Sequence, residues 1–360
     1  MKKVLIIANS SCGLYLFRKE LITELIKDNE VIALTILDGK EDELVELGCK
    51  LEKINFYRRG MNPLKDINIL MDYYKFISKL KPELVITYTI KPNIYAGMIC
   101  RLLKIPYAVN ITGLGTAFEQ DGFIKKIVIL MYRIALKSAK VVFFENASNR
   151  NVFKISHIVK SKQMYLLNGA GVNTKTFSYQ IYPQNKVFRF LFVGRVMKEK
   201  GIEELLKALE LLNKIGCQCM LDIVGGFDED YSEKLKEYEK KGWVQYHGFQ
   251  NDVRPFYGIC DCFVLPSYHE GMANTNLEAA AIGRPVITTD IPGCREAVLD
   301  KKTGLLCKPR NVKNLYSCMY NMMNYSVEIR NKMGIDGRKY IIKKFNKMDV
   351  VKKTKDRLFR

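Results

Sequence analysis

The sequence has no run of about 18 uninterrupted apolar residues, so no transmembrane helix is expected. The apolar run near its start, VLIIA, is too short for a signal peptide and predicts a buried first strand. The ten cysteines are dispersed, and the closest pairs (Cys217/Cys219 and Cys260/Cys262) are separated by one residue, whereas zinc sites usually need two or more. We therefore expect reduced, buried cysteines in a cytosolic protein, without disulfides or a structural metal.

Acidic residues are scarce: 38 of them oppose 58 lysines and arginines, which gives a net charge of +20. Such a charge favours nucleic acid, an anionic membrane surface or phosphorylated substrates as partners and does not choose among them. The stretch FIKKIVILMYRIALKSAK, residues 123–140, predicts a helix in which a narrow basic stripe borders a broad apolar surface. The stripe consists of Lys126, Arg133, Lys137 and Lys140. This pattern is typical of a membrane-surface helix, and also of a core helix with a solvated lysine face.

Short β-rich apolar runs alternate with helical patterns along the chain. The predicted strands are KVLIIAN, VIALTIL, LEKINF, ELVITYTI, YAVNITG, KVVFFEN and MYLLN in the first half and FRFLFVGR, CMLDIVGG, WVQYHGF, CFVLPS, PVITTD and TGLLCKP in the second. Continuous apolar strands joined by helices predict α/β domains with parallel, doubly wound sheets. A polar stretch at 173–186 interrupts the alternation. We therefore expect two Rossmann-like domains, 1–178 and 187–342, with a C-terminal helix at 343–360 that packs back on the N-terminal domain.

Polar and glycine-containing loops follow several of these strands, where ligands of doubly wound sheets bind. Arg195 and Lys200 follow the strand FLFVG and precede a predicted helix start at Gly201. A guanidinium and an ammonium group five residues apart suit a diphosphate, and two solvated loop cations are the alternative. In IVGG, Gly225 would let a ligand approach the backbone closely.

Two glutamates, Glu270 and Glu278, lie eight positions apart in YHEGMANTNLEA. Asn274 and Thr275 suit the N-cap of a helix that Gly283 ends. Glu270 is therefore expected on a loop and Glu278 in the first turns of the helix, with free backbone N–H groups between them. The pattern predicts an anion pocket with a hydrogen-bond acceptor at each end.

The order strand–GR(x4)KG, strand–GG, strand–PS(x2)EG(x6)LEA resembles the nucleotide-binding half of the family 4 glycosyltransferases, and the runs ANSSCG, HGF and TGLL extend the resemblance over the chain. The resemblance implies the GT-B fold, in which two Rossmann-like domains face a cleft. It implies that Glu278 binds the nucleotide ribose and that Glu270 contacts the transferred sugar. The diphosphate is then implied to lie between the two loop cations and the helix start. The implied catalytic residues are Glu270, Arg195 and Lys200, and the implied donor-binding residues are Gly194, Gly225, Gly271, Met272, Ala273, Asn274, Thr275 and Glu278.

The sequence departs from the family pattern in two places. The signature has Ala273 and a run of amides where proline is usual, so that Asn274 and Asn276 either shape sugar selectivity or cap the helix. Thr112 stands where many members carry a histidine, in a TGLG run similar to that of the capsule, O-antigen and protein-glycan transferases acting on undecaprenyl-diphosphate-linked sugars. Candidates for the acceptor side are Ser10, Ser11, Gly13, Arg18, Lys91, Asn110 and Thr112. For Arg18 and Lys91, proposed to bind an acceptor phosphate, solvated surface cations are the alternative.

The resemblance implies a retaining, metal-independent transferase that needs no cofactor besides its donor. We expect it to move a hexose or N-acetylhexosamine from a nucleotide diphosphate, expected to be UDP, to a lipid-diphosphate-linked saccharide at the cytoplasmic face of the membrane. The acidic run FDED, residues 227–230, mimics a metal-binding Asp-x-Asp motif and is expected to be a solvated helix start. The alternatives are a nucleotide-sugar epimerase of the same fold and a non-catalytic polyanion-binding protein, although the chain has no nucleic-acid-binding motif.

Overall fold

The computed structural model describes residues 1–55, 63–115, 118 and 122–360, and only the backbone of residues 63–65. The chain divides into two compact units. The N-terminal unit comprises Met1–Ala170 together with Met348–Arg360, and the C-terminal unit comprises Gly171–Lys347. The sequence predicts domain limits at residues 178, 187 and 342 instead.

The N-terminal unit contains a sheet of seven parallel strands within the described residues. The strands are β1 (Lys2–Ile7), β2 (Asn29–Thr35), β3 (Lys50–Lys53), β4 (Leu84–Tyr88), β5 (Tyr107–Ile111), β6 (Val141–Phe144) and β7 (Met164–Leu166). The helices between them are α1 (Ser11–Ile26), α2 (Glu41–Glu46), α3 (Pro63–Leu80), α4 (Ile90–Leu102), α5 (Phe123–Leu136) and α6 (Ala147–Ile155). The strand order is β3-β2-β1-β4-β5-β6-β7. The winding therefore reverses between β1 and β4, and helices cover both faces.

The C-terminal unit contains a sheet of six parallel strands in the order β10-β9-β8-β11-β12-β13. The strands are β8 (Phe188–Val193), β9 (Cys219–Val224), β10 (Val244–Tyr246), β11 (Cys262–Leu265), β12 (Val286–Thr289) and β13 (Gly304–Cys307). The helices are α7 (Ile202–Lys214), α8 (Ser232–Lys240), α9 (Arg254–Ile259), α10 (Asn274–Ile282), α11 (Val312–Asn324) and α12 (Val327–Lys344). The winding reverses again, here between β8 and β11.

Each of the thirteen predicted strands corresponds to one of the strands β1–β13 of the described chain, and the prediction of two doubly wound α/β domains is confirmed. The prediction succeeds because every residue of β4, β5, β6, β11 and β12 is buried, so that these strands appear in the sequence as continuous apolar runs.

The last helix, α13 (Lys347–Phe359), packs against the N-terminal unit. Val350, Val351 and Leu358 are buried in the core that α1 shares with β1 and β2. The ammonium group of Lys355 lies 2.9 Å from carboxylate oxygens of both Glu24 and Asp28. The C-terminal segment therefore contributes both apolar and ionic contacts to the first unit.

The basic helix predicted at 123–140 is shorter in the structure. α5 ends at Leu136, and Lys137 is its C-cap. Lys140 lies beyond the helix, where its backbone N–H donates to the carbonyl of Tyr107 at 2.9 Å as the chain enters β6. The predicted stripe therefore retains only its first three cations on or directly at the end of α5. None of the helices in the described part of the chain has both the length and the apolar character needed to cross a bilayer.

Candidate active site

The loops that follow β8, β9 and β11 are packed against one another by glycines. A Cβ atom on Gly225 would lie 1.9 Å from the carbonyl oxygen of Gly194, and one on Gly201 would lie 2.1 Å from that of Pro266. Both Gly225 (φ 144°) and Gly201 (φ 73°) have a positive φ that favours glycine. Gly201 is also the N-cap of α7, which confirms the predicted helix start. From the sequence, Gly225 is expected to let a ligand approach the backbone. In the structure, the absence of a Cβ atom at Gly225 allows the close approach of the loop that contains Gly194.

Lys200 and Glu270 form an ion pair at this edge of the sheet. The Lys200 Nζ atom lies 2.5 Å from Oε1 of Glu270, and the hydroxyl of Ser267 donates to the same oxygen at 2.8 Å. Both charged side chains are mostly buried. Ser267 is fully buried at the end of β11, and its carbonyl accepts from Thr289 Oγ1. The glutamate is therefore held in place by the two strands β11 and β12.

Arg195, the second predicted cation, has a different carboxylate partner. Its guanidinium lies 3.0 Å from Oδ2 of Asp228 and is 59% exposed. Asp228 belongs to the run FDED, in which Glu229 also accepts from the backbone N–H of Lys198 at 2.9 Å. The prediction that FDED starts a helix is wrong, because α8 begins only at Ser232. The run is a loop that binds the segment carrying both cations.

The N-terminus of α10 begins without a side-chain cap in the described structure. Its N-cap is Ala273, so the prediction that Asn274 or Thr275 occupies this position is wrong, whereas Gly283 does end the helix with φ 96°. The first turn contains no acidic residue. The Oδ1 atom of Asn274 is buried there without a described hydrogen-bond partner. This helix end therefore presents backbone donors and one acceptor oxygen to a ligand.

The loop before α10 is held by a second glycine-containing loop. The carbonyl of Gly293 accepts from the N–H of Ala273 at 2.8 Å. A Cβ atom on Gly293 would lie 2.4 Å from the carbonyl oxygen of Glu270. The buried positions Gly271 and Met272 lie between these two contacts. The loop around Gly293 thus positions the backbone that carries the predicted donor-binding residues.

Glu278 lies in the second turn of α10, and its partner is Tyr257. The phenol hydroxyl donates to Oε2 of Glu278 at 3.1 Å. Burial raises the pKa of Glu278 to about 7, although the bond from Tyr257 and the positive charge of Lys347 act in the opposite direction. Burial and the nearby Glu278 charge also raise the pKa of Tyr257, so the phenol stays a donor at neutral pH.

Asn276, proposed from the sequence as a selectivity or capping residue, is not the N-cap of α10. It is fully buried, and its Nδ2 atom donates to Thr288 Oγ1 at 3.0 Å. Thr288 in turn donates to the carbonyl of Leu265 at 2.8 Å. The side chain therefore fastens α10 to the sheet instead of facing a ligand.

The acceptor-side candidates come together at the carboxyl edge of the N-terminal sheet, but several are already engaged. Ser10 is the N-cap of α1 and accepts from the N–H of Gly13 at 2.9 Å. Ser11 is fully buried, and its hydroxyl donates to the carbonyl of Gly39 and to Glu41 at 2.8 and 2.7 Å. The Ser11 hydroxyl is therefore engaged within the N-terminal unit, and its place beside a sugar stays a prediction.

The two predicted acceptor-side cations are neutralised within the N-terminal unit. Arg18 lies 2.5 Å from Glu145, which follows β6, and its guanidinium lies 4.7 Å from the centre of the Tyr88 ring. Lys91 lies 3.0 Å from Asp66. Neither is the solvated surface cation that the sequence offers as an alternative, and a phosphate could bind either only by competing with a carboxylate.

Asn110 and Thr112 are found at the end of β5. Asn110 is buried, and its Nδ2 atom donates to the carbonyl of Thr87 at 3.2 Å, so its side chain joins β5 to β4. Thr112 is half-buried in the segment that leaves the strand. The rest of the TGLG region includes residues 116–117 and 119–121, which lie outside the described residues.

Three side chains that support the site were missed from the sequence: Tyr257, Ser267 and Tyr268. The hydroxyl of Tyr268 donates to both carboxylate oxygens of Glu204 at 2.7 Å, which links the loop before Glu270 to the first turn of α7. All three residues lie close in the sequence to β11 or to the glutamate signature, and this proximity was the signal that could have identified them. Glu278 is 21 positions from Tyr257 and Glu204 is 64 positions from Tyr268, so no local pattern indicates these pairs.

Within residues 1–55, 63–115, 118 and 122–360, no group of three or more His, Cys, Asp or Glu side chains is placed to hold a metal ion. Asp230, the second acid of the Asp-x-Asp mimic, accepts from the backbone N–H and the hydroxyl of Ser232 at 3.1 and 2.7 Å. These bonds lower its pKa. The two acids of the motif thus have separate partners.

Two family models match the chain. Residues 174–340 match the model of group 1 glycosyl transferases, and residues 3–146 match the glycosyl transferase 4-like model. The first range contains Arg195, Lys200 and both glutamates, and the second contains most of the N-terminal sheet. The sequence-based recognition of this family is confirmed.

Two curated bacterial enzymes are similar over most of their length. The N,N'-diacetylbacillosaminyl-diphospho-undecaprenol alpha-1,3-N-acetylgalactosaminyltransferase of Campylobacter jejuni is 27% identical, over 86% of this chain and 86% of its own. The UDP-Gal:alpha-D-GlcNAc-diphosphoundecaprenol alpha-1,3-galactosyltransferase of Escherichia coli is 26% identical, over 83% and 80%.

Among solved structures, Anabaena HepE in complex with UDP-glucose matches with a TM-score of 0.80 at 15% identity, covering 99% of both chains. That similarity identifies the fold. The two parallel sheets, the paired family models and the position of the signature residues together make this chain a member of the group 1, family 4-like glycosyltransferases with the GT-B fold.

Proposed function

We propose that the protein transfers a hexose or N-acetylhexosamine from a UDP-sugar to a lipid-diphosphate-linked saccharide, with retention of the anomeric configuration. The observation that carries the proposal is the Lys200–Glu270 ion pair beside the N-terminus of α10, with Glu278 one helical turn further on. These loops and the first turns of α10 together supply a cation, backbone N–H donors and two carboxylates. A diphosphate flanked by ribose and hexose hydroxyls has the complementary chemistry.

In this proposal the diphosphate binds between Lys200 and the uncapped end of α10, and Arg195 approaches from the exposed side. Lys200 then exchanges one oxygen partner for another, from Glu270 to the β-phosphate. Glu270 remains bonded to Ser267 and accepts from hydroxyls of the donor sugar. Glu278, held by Tyr257, accepts from the ribose. Asn274 Oδ1 is placed to accept a further sugar hydroxyl.

The chemical step breaks the bond between the anomeric carbon and the β-phosphate oxygen, and the electron pair leaves with UDP. Lys200, Arg195 and the α10 N–H groups stabilise the charge that develops on the diphosphate. The acceptor hydroxyl attacks from the same face, and its proton passes to the departing phosphate oxygen. No side-chain base is needed on this route. Retention means that an alpha-configured donor, such as UDP-glucose, gives an alpha-linked product. The alpha-1,3 linkages named for the two curated relatives support retention.

The acceptor class rests on the same two relatives, whose names specify undecaprenyl-diphosphate-linked sugars. We place the reaction in surface polysaccharide or glycan biosynthesis, at the inner face of the cell membrane. The fixed cations Lys200 and Arg195 do the work of a metal ion at the diphosphate, so the proposal includes no metal and no cofactor.

The test is a panel of UDP- and GDP-activated sugars, each incubated with a short-chain lipid-diphosphate sugar. One UDP-sugar should give a disaccharide whose new linkage is alpha by NMR. A beta linkage contradicts retention, and turnover of GDP-sugars alone contradicts the assigned nucleotide. An epimerase would instead change the sugar stereochemistry of the nucleotide donor when the acceptor is omitted.

A further inference from the structure

The outer face of α5 exposes large apolar side chains along its length. Phe123, Leu130 and Ile134 are 78, 55 and 42% exposed. At about 100° per residue, Leu130 and Ile134 lie within roughly 20° of the direction of Phe123. We call these three residues the apolar stripe of α5. The opposite side of the helix is used for packing, because Val128, Tyr132, Ala135 and Leu136 are buried in the N-terminal core.

Cations border the apolar stripe on one side. Lys126, Arg133 and Lys137 are all at least partly exposed and lie roughly 40 to 80° from Phe123 around the helix. Residues 123–140 contain no acid. An exposed apolar centre with a cationic border is the arrangement of helices that lie in a membrane interface, whereas a merely solvated lysine face would have its apolar residues buried.

The position of α5 in the N-terminal unit agrees with a role as a helix that lies in a membrane interface. The chain moves in one direction across the sheet from β3 to β6, so right-handed crossovers place α3, α4 and α5 on the same face. α3 also exposes an apolar row at Ile67, Met71 and Tyr74. The N-terminus of α5, with Phe123, follows β5 and so lies at the carboxyl edge of the sheet, the edge that holds Asn110 and Thr112.

We propose that the apolar stripe of α5 inserts into the interface of an anionic bilayer, with Lys126, Arg133 and Lys137 on the lipid headgroups. The occupant is a bilayer because the stripe is bordered by positive charge alone, which complements anionic headgroups. Insertion of the apolar side chains adds hydrophobic binding to the electrostatic adsorption that the basic residues alone would give. The proposal uses the proposed function solely to explain why a bilayer is near; vesicle binding requires neither donor nor acceptor.

The experiment is vesicle flotation of the full chain with phosphatidylglycerol/phosphatidylcholine vesicles and with pure phosphatidylcholine. The wild type should float with the anionic vesicles. The variant Phe123→Ser/Leu130→Ser/Ile134→Ser keeps every charge and should bind at least tenfold more weakly. Lys126→Gln/Arg133→Gln/Lys137→Gln should also lose binding and should lose the preference for anionic lipid.

The matched control is Ile181→Ser/Ile215→Ser/Phe249→Ser, which removes three apolar side chains of the C-terminal unit that are 84, 56 and 62% exposed. It should float like the wild type. Unchanged UDP affinity and thermal midpoint show that each variant is folded. Flotation of the apolar triple variant at the wild-type level overturns the proposal, as does a wild type that binds no vesicle. A wild-type dimer in sedimentation that this variant makes monomeric would overturn it too, by assigning the stripe to a second copy.

Transfer to a short, water-soluble acceptor separates this proposal from the proposed function. The apolar triple variant should catalyse that transfer at the wild-type rate, and lose activity only toward a long-chain acceptor in vesicles. A wild type that floats yet transfers no sugar contradicts the proposed function and leaves the membrane surface intact.

Discussion

The ammonium group of Lys200 lies 2.5 Å from a carboxylate oxygen of Glu270, so the two residues assigned to different parts of the donor neutralise each other before it binds. Both are mostly buried, and the pair therefore stabilises two charges that would be costly to leave alone in this site. The arrangement keeps the cation oriented toward the loop that carries Glu270. In the proposed function, a bound diphosphate would replace one anionic partner of Lys200 by another, so that no free ammonium group has to be desolvated.

Lys200→Ala should lower turnover at least about a hundredfold, because it removes a cation from the leaving diphosphate, worth roughly 2.7 kcal/mol or more. Arg195→Ala should cost about tenfold, since its guanidinium is more exposed and more strongly screened. Lys198→Ala, an exposed cation of the same loop, is the control and should leave turnover unchanged. Initial rates at saturating donor measure all three. Wild-type rates in folded Lys200→Ala would exclude it from the site.

Exchanging the two glutamates for glutamine should have different effects. Glu278→Gln should weaken binding of free UDP at least tenfold, because the ribose contact is present in every nucleotide complex. Glu270→Gln should lower turnover and leave UDP affinity within about twofold, since its contacts are to the sugar. The amide oxygen of the introduced side chain can still accept from Lys200 and Ser267, which keeps the loop in place. Calorimetry gives the affinities, and the opposite pattern would reverse the two assignments.

Donor affinity should depend on pH through Glu278. Its pKa of about 7 in the free protein means that much of the population carries a proton at pH 6, and a protonated carboxyl is a weaker acceptor for the ribose. Between pH 6 and pH 8 the affinity for an intact UDP-sugar should therefore rise about tenfold, with release of a proton on binding. An intact UDP-sugar avoids the titrating terminal phosphate of UDP. Glu278→Gln should abolish the rise; an equal rise in that variant assigns it to another group.

Gly201→Ala should be strongly destabilising. Its Cβ atom would lie 2.1 Å from the carbonyl of Pro266, and its φ of 73° is also unfavourable for alanine. We expect a loss of more than about 3 kcal/mol in the free energy of unfolding. Gly216→Ala is the matched control, because Gly216 has φ 86° but no described atom within 4 Å of an added Cβ. It should cost only about 1 to 2 kcal/mol, the conformational part. Equal losses in thermal denaturation would show that the contact with Pro266 relaxes.

Chelation should leave the transfer rate unchanged, because in the proposed site Lys200 and Arg195 take the place of a metal ion at the diphosphate. The assay compares initial rates in EDTA with rates in added manganese or magnesium. Complete loss in EDTA, restored by either ion, would bring Asp228 and Asp230 back as metal ligands.

The sequence predicted what depends on local pattern and on buried strands. The strands β4, β5, β6, β11 and β12 are predictable as continuous apolar runs because all of their residues are buried, and Gly201 and Gly283 are predictable because helix ends favour glycine there. The sequence could not predict which residues far apart along the chain form pairs. Glu145 is 127 positions from Arg18, and Glu270 is 70 from Lys200. Nothing local distinguishes such a paired cation from a solvated one.

The N-cap prediction for α10 failed for a related reason. Asn274, Thr275 and Asn276 all suit an N-cap by composition, but the cap position is decided by where the preceding loop is held, and that is set by the bond from Ala273 to Gly293. Once the helix begins at Asn274, its periodicity turns Asn276 toward β12, where it meets Thr288. A shift of one residue in the helix start would thus change which amide faces the sheet.

The packing of α13 on the N-terminal unit also sets an order of events during synthesis. The C-terminal unit is one continuous segment, and it is complete before Val350, Val351 and Leu358 leave the ribosome. The N-terminal unit, although translated first, lacks part of its core and the ion pairs of Lys355 until then. The nascent N-terminal unit therefore lacks these contacts, with the apolar surface under α1 uncovered, while the C-terminal unit is being synthesised. Chaperone dependence and sensitivity to proteolysis should accordingly be concentrated in the first half of the chain.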